Sequence, residues 1–155
     1  MKNFYLIVGE SGAGKTSVGK ELEDHYGLCG VTSYTPRAPR FKDEPGYNFV
    51  SEMEFNKIPN MVDSTSYSGN YYGTTSEEVD KNDFDVVDLN GIKNFKSNYK
   101  GRKVIRVIYL RVPSFLREIR MMDRGDSNEN NQKRLHEDTI SFKDVNKMAD
   151  IIIDN

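Results

Sequence analysis

Near its start the chain carries Gly9-Glu10-Ser11-Gly12-Ala13-Gly14-Lys15-Thr16, a match to G-x-x-x-x-G-K-[ST] at every fixed position. The surroundings have the required form. Phe4 to Val8 is a short apolar run of strand type, and Lys15 to Tyr26 places Val18, Leu22 and Tyr26 at helical spacing. A strand, a glycine turn and a helix start commit the chain to an α/β fold with an anion site at the helix N-terminus. The glycines let backbone N–H groups curl around phosphate oxygens, and the helix adds its partial positive charge there. Gly9 to Thr16, with Ser17 behind them, are therefore the candidate triphosphate-binding residues, and ATP is the expected donor. Lys15 is placed to follow a phosphoryl group in transfer, and Thr16 offers its hydroxyl to Mg²⁺.

The order of the remaining elements extends that opening unit. From Gly27 to about Thr75, turn formers (Pro36, Pro39, Pro45, Gly46, Pro59, Gly69, Gly73) separate short β-rich pieces such as Tyr47 to Val50, which predicts an insertion with its own small sheet. Ser76 to Lys81 reads as a short helix, Phe84 to Leu89 as an apolar strand carrying Asp88, and Gly91 to Asn98 as a helix. Val104 to Arg111 is a β-branched strand, Pro113 suits the first turn of a helix reaching about Met122, and Ala149 to Ile153 supplies a last strand. Alternating strands and helices favour a mostly parallel sheet covered on both faces, a three-layer P-loop sandwich. Asp123 to Asn131 is polar and turn-prone, either a plain surface loop or a mobile lid.

At 155 residues the chain fits one domain. No run of about 18 apolar residues is present to span a bilayer, and the N-terminus leaves no room for a signal peptide, so a cytoplasmic location without membrane partners is expected. Cys29 stands alone and has no disulfide or zinc partner in the sequence. The net charge of −2 argues against nucleic acid as a partner, yet arginines cluster: Arg37 and Arg40 in one loop, and Arg117, Arg120, Arg124 and Arg134 in the last third. Such groups suit small polyanions. Arg120 and Arg124 lie four apart, and with Arg134 they are the candidates to converge on the phosphates if the polar loop closes.

At Ser33 to Arg40, SYTPRAPR, the chain resembles the guanylate kinase family, and the resemblance extends over nearly its whole length. Ser33, Arg37, Pro39 and Arg40 match one family loop, Tyr47-Asn48-Phe49-Val50 another segment, and Ser68-Gly69-Asn70-Tyr71-Tyr72-Gly73-Thr74-Thr75 a third. Pro113-Ser114, Arg124-Gly125, Lys133-Arg134-Leu135 and the closing Asp150 to Asn155 follow in family order. The resemblance implies transfer of the ATP γ-phosphoryl group to GMP or dGMP, with Mg²⁺, by a monomer or homodimer acting on small nucleotides. It implies that Arg37, Arg40, Tyr47 and Tyr72 bind the acceptor phosphate, that Ser33, Asp63, Thr74 and Asp88 read guanine, that Lys15, Arg120, Arg124 and Arg134 are catalytic, and that Asn155 joins the ATP site. It further implies a core of residues 1–31, 76–123 and 135–155, an acceptor-binding region at 32–75 and a lid at about 124–134. Read without the resemblance, Tyr71 and Tyr72 are strand residues packing a core, and Asp88 is a strand-end residue near the metal of the triphosphate, a role that stays open.

The departures from the family pattern also carry weight. Asp63 stands where the family usually has glutamate, one methylene longer, and Val86 stands at the first of two acidic positions. Two residues are missing before Tyr47, the helix before Arg124 is shorter, and the family continues past the position of Asn155 into a further helix. The shortened Asp63 leaves room for another phosphorylated acceptor, such as a modified deoxynucleotide or a sugar phosphate. A catalytically silent, peptide-binding relative is the other alternative, but such modules have damaged P-loops, and this one is intact.

Overall fold

The structure is a computed structural model that describes residues 1–67 and 69–155. Its elements run β1 (Asn3–Val8), α1 (Lys15–Tyr26), β2 (Ser33–Thr35), β3 (Tyr47–Phe49), α2 (Glu52–Lys57), β4 (Met61–Tyr67), β5 (Asn70–Thr75), α3 (Ser76–Lys81), β6 (Phe84–Val86), α4 (Leu89–Asn98), β7 (Val104–Arg111), α5 (Ser114–Asp123), α6 (Asn128–Ser141), α7 (Val145–Met148) and β8 (Ile151–Asp154). Four strands form a parallel sheet in the order β6-β1-β7-β8. The period of two along a strand splits its side chains into two cores. Phe4, Leu6 and Val8 pack with Ile92 and Phe95 of α4, the Phe4 and Phe95 rings stacking at 5.8 Å. Ile7 packs on the opposite face with Ala13, Phe84 and Leu110, backed by Val18 and Leu22 of α1. The sheet is thus covered by helices on both faces, as the alternating pattern predicts.

The second sheet has the order β3-β2-β5-β4, and all of its strands come from residues 33–75. β2 pairs parallel with β3, while β5 runs antiparallel to both β2 and β4. A register shift between Met61 and Asp63 buries Val62 and sets Asp63 opposite Thr74. Bulges of this type re-aim side chains, and this one fixes where Asp63 points.

Three expectations need correction. The strand from Phe84 stops at Val86, because Asp88 turns to cap α4: its Oδ1 accepts the Gly91 N–H at 2.7 Å, and the helix starts at Leu89. Six residues with no long apolar period form α2, held by a capping box in which Ser51 and Glu54 satisfy each other's backbone N–H groups. The polar stretch to Asn131 is helical from Asn128, with Ser127 accepting the Asn130 N–H as its cap, and Asn131 is fully buried. Among the described residues no helix is long and apolar enough to cross a membrane.

Candidate functional site

Residues 9–14 link β1 to α1 through a turn that needs glycine at two points. Gly12 (φ 78°) and Gly14 (φ 89°) are left-handed, and a Cβ on Gly12 would lie 2.7 Å from the Arg117 carbonyl oxygen. Gly9 is tight as well, its added Cβ meeting Ala13 at 2.9 Å. Gly14 is the N-cap of α1 and no side chain satisfies the first helical N–H groups, the condition for receiving an anion. Lys15 folds back on the loop, its Nζ donating to the Gly9 carbonyl at 2.6 Å and the Glu10 carbonyl at 3.2 Å, and burial lowers its pKa. Thr16 and Ser17 are exposed in the first turn of α1. Glu10 accepts from the Tyr109 hydroxyl at 2.8 Å, and Ser11 donates its N–H to Asp138. Asn155 also reaches this loop: its Nδ2 donates to the Ala13 carbonyl at 3.1 Å, close to Gly14.

The residues expected to hold the acceptor border a cleft of about 380 Å³ lined by both sheets. Ser33, Arg40, Tyr47, Asp63, Tyr72, Thr74 and Asp88 all line it, so seven of the eight acceptor residues implied by the sequence share one wall. The eighth, Arg37, lies against them. Its guanidinium sits 5.0 Å from the centroid of the Tyr47 ring, which is 5.8 Å from the Tyr72 ring. Arg37 is held by Glu44, with Nη2 to Oε1 at 2.9 Å and Nη1 to Oε2 at 3.3 Å, and the same carboxylate accepts the Arg40 N–H at 2.7 Å. The Arg37 guanidinium keeps the Glu44 carboxyl below the usual carboxylate range. One acid thus ties two arginines into one loop. Asp63 Oδ1 accepts from Asn94 at 2.7 Å, and burial raises its pKa. Ser68 of the glycine-tyrosine segment lies outside the described residues.

A second cleft, of about 680 Å³, is lined by Gly9, Ser11, Lys15, Glu137 and Asp138, and it shares Tyr67, Val86, Val87 and Asp88 with the acceptor cleft. The two clefts therefore adjoin across the end of β6, the edge where ligands of open α/β sheets bind. Thr16, Ser33, Tyr47 and Asp85 border a further hollow next to both.

The three late arginines separate. Arg120 reaches the P-loop, its Nη1 donating to the Gly12 and Ala13 carbonyls at 3.4 and 3.3 Å and its Nη2 to the Asn155 carbonyl at 3.4 Å. Arg124 and Arg134 instead both pair with Asp126, at 3.2 and 3.6 Å, on the surface. Arg117 takes an inner place beyond its sequence reading as one of an arginine group. It is nearly fully buried and donates to the Val112 carbonyl at 3.1 Å and to Asp138 at 3.3 Å.

Two further acids belong to the site and went unread in the sequence. Asp138 of α6 accepts the Ser11 N–H of the P-loop at 2.9 Å. Asp85, inside the apolar run of β6, lines the acceptor cleft and accepts from the Thr74 hydroxyl at 3.1 Å. Its pKa is pushed up to about 7, chiefly by burial, with the nearby Asp63 carboxylate adding to the shift. The available signal was a carboxylate in a strand otherwise made of Phe and Val, since an acid in a buried strand asks for a partner.

The family model described as guanylate kinase matches residues 1–155. A guanylate kinase from Neisseria gonorrhoeae is 35% identical over 150 residues, covering 86% of this chain and 70% of its own. One from Geobacter metallireducens is 34% identical over 140 residues, covering 81% and 66%. The chain thus spans about two thirds of the length of these relatives. A crystal structure of guanylate kinase from Anaplasma phagocytophilum has the same fold at a TM-score of 0.61 and 20% identity, covering 99% of this chain and 77% of that one.

Proposed function

The chain belongs to the guanylate kinase family, and from that premise we propose that it transfers the γ-phosphoryl group of ATP to GMP or dGMP, giving ADP and GDP or dGDP. The observation that carries this reading is the shared wall of the two clefts, Tyr67 and Val86 to Asp88. It sets Lys15 and the P-loop on one side and the acceptor residues on the other, the arrangement that an in-line transfer requires.

In this reading a phosphate oxygen of the acceptor attacks the γ-phosphorus as the bond to the β-phosphate oxygen breaks, and ADP leaves. Arg40, Tyr47 and Tyr72 bind the acceptor phosphate, with Arg37 joining them from behind Tyr47. Lys15 leaves the Gly9 and Glu10 carbonyls to neutralise charge on the migrating group. Arg120 already contacts the P-loop carbonyls and adds positive charge beside it. Arg124 and Arg134 would have to exchange Asp126 for phosphate, which makes residues 124–134 the lid of this reading, over a core of 1–31, 76–123 and 135–155 and an acceptor region of 32–75. Among the described residues no group of three or more acids, histidines and cysteines is placed to hold a metal. Thr16, exposed in the first turn of α1, would hold the Mg²⁺ brought in with ATP, and the ion would supply charge neutralisation at the phosphates. The enzyme acts on small nucleotides as a monomer or homodimer.

A coupled ADP-release assay across the nucleoside monophosphates tests the proposal. Turnover highest with GMP or dGMP is expected. Turnover on no nucleotide overturns it, and a wide preference for a non-guanine phosphorylated acceptor replaces it with the alternative that Asp63 suggests.

A further inference from the structure

The acceptor cleft holds one carboxyl more than its sequence motifs supply. In β6 the side chains of Phe84 and Val86 face α1, where Gly19 leaves room for both, so strand alternation turns Asp85 to the opposite side, into the cleft. There it meets Thr74 of β5, which lies opposite Asp63 of β4. Three strands from two sheets thus bring Asp63, Thr74 and Asp85 to one patch of wall. Among the described residues no lysine, arginine or histidine forms an ion pair with Asp85, and the Thr74 hydroxyl is its side-chain hydrogen-bond donor. A part-buried carboxylate whose donors are one hydroxyl and the Val86 backbone N–H has acceptor capacity left over, since two oxygens offer about four lone-pair sites, and it faces the space a ligand would fill.

The base of the acceptor can use that capacity. Guanine presents a ring N–H and an exocyclic amine side by side, and adenine has no such donor pair on that edge. Asp63 is one methylene shorter than the glutamate usual at this position in the family, and its Oδ1 already accepts from Asn94. Asp85 approaches from β6 of the other sheet, and with its Oδ2 accepting from Thr74 its Oδ1 takes no side-chain donor among the described residues.

We propose that Asp85 is a specificity-determining residue of the acceptor cleft, sharing with Asp63 the recognition of the guanine donor pair. The inference rests on the reading of the chain as a nucleoside monophosphate kinase. It also gives the shortened Asp63 a physical counterpart: the reach that is one methylene less on β4 is made up by a carboxylate from β6 of the other sheet.

The test uses the full chain with GMP and AMP as acceptors, in Asp85→Asn and Asp85→Leu variants. Asparagine keeps an oxygen for the Thr74 hydroxyl and loses the charge, so it separates base reading from local packing. Loss of a hydrogen bond to a charged group predicts a rise in KM for GMP of about 10- to 100-fold, with kcat changed by no more than about threefold. The preference for GMP over AMP should shrink by a similar factor. Calorimetric titration of GMP without ATP should show the same loss of affinity. Wild-type KM, GMP preference and GMP affinity in Asp85→Asn would overturn the inference while leaving the kinase reading intact. If the unaltered chain phosphorylates no nucleotide and binds no GMP, the kinase reading and the inference fall together.

Discussion

Asp138 of α6 accepts the Ser11 backbone N–H at 2.9 Å, so a carboxylate occupies one donor of the loop that is built to receive phosphate. The same carboxylate pairs with the buried Arg117, which ties α5 and α6 to the P-loop through one side chain. Its charge also acts on Lys15, where it works against the lowering caused by burial. An incoming triphosphate must meet this negative charge or displace it.

Replacing Asp138 with asparagine keeps an acceptor for Ser11 and Arg117 but removes the charge. Two charges a few ångströms apart in an effective dielectric near 20 interact by a few kcal/mol, reduced further by solvent and salt, so a fall in KM for ATP of about fivefold is a sober expectation. Initial rates at fixed ionic strength, with ATP varied, check it. An unchanged or higher KM would mean that the carboxylate holds the loop in its receptive shape rather than competing for it.

Lys15→Ala should cut transfer by about two to three orders of magnitude and spare the fold. Among the described residues the ammonium's hydrogen bonds go to two carbonyls of its own loop, so little packing depends on it. In the proposed reaction it faces the group that accumulates charge, and loss of one such preorganised donor costs about 10²- to 10³-fold in kcat. A melting temperature within a few degrees of the parent, together with that loss, is the expected pair of results. Retained turnover would remove Lys15 from the mechanism.

Much of this site was legible because its residues sit at chain positions with local consequences. The P-loop announces itself through glycines that the turn requires, and α1 has the bounds its apolar spacing predicts. Arg40, Tyr47, Tyr72 and Thr74 were placed by resemblance, and the structure brings them to one cleft. What stayed hidden depends on pairing between distant strands. Asp85 becomes a cleft residue through the partnership of β6 with β1 and the approach of β5, and nothing in the local sequence encodes either. Asp138 is unreadable for a similar reason, since 127 positions separate it from the N–H it binds. Asp88 misled through its neighbours: an apolar run argued for more strand, while its own side chain favours capping the helix that follows.

The raised pKa of Asp85 makes a prediction independent of catalysis. Its folded value of about 7 lies above the ordinary 3.8, so between those values the folded chain binds a proton that the unfolded chain has released. Stability then falls as pH rises from about 4, and the loss is complete once pH passes about 7. The groups facing Asp85 are the Thr74 hydroxyl and the Asp63 carboxylate, with Ser33, Tyr72, Asp88 and the cationic Arg40 elsewhere on the cleft wall. Asp85→Asn cannot ionise, so it should match the parent near pH 5 and melt higher than the parent at pH 8. Thermal melts of both proteins across that range decide the matter, and parallel curves would remove the burial argument.

Asn131 supplies the last prediction. It is fully buried in the first turns of α6, and neither its Oδ1 nor its Nδ2 has a hydrogen-bond partner among the described residues. A buried amide without partners costs about 1–3 kcal/mol relative to an apolar group of similar shape, and leucine is close to asparagine in shape. Leucine is also the better helix former. Asn131→Leu should therefore stabilise the protein by about 1–3 kcal/mol, measured by urea unfolding, with the slope against denaturant unchanged. A destabilised variant would instead show that the amide is satisfied in solution by a buried water, since a polar pocket of that kind binds water firmly. The outcome also bears on the lid. Asn131 lies within the stretch that carries Arg124 and Arg134, and an amide paired only when that stretch closes would make Asn131→Leu more stable at rest yet slower in turnover.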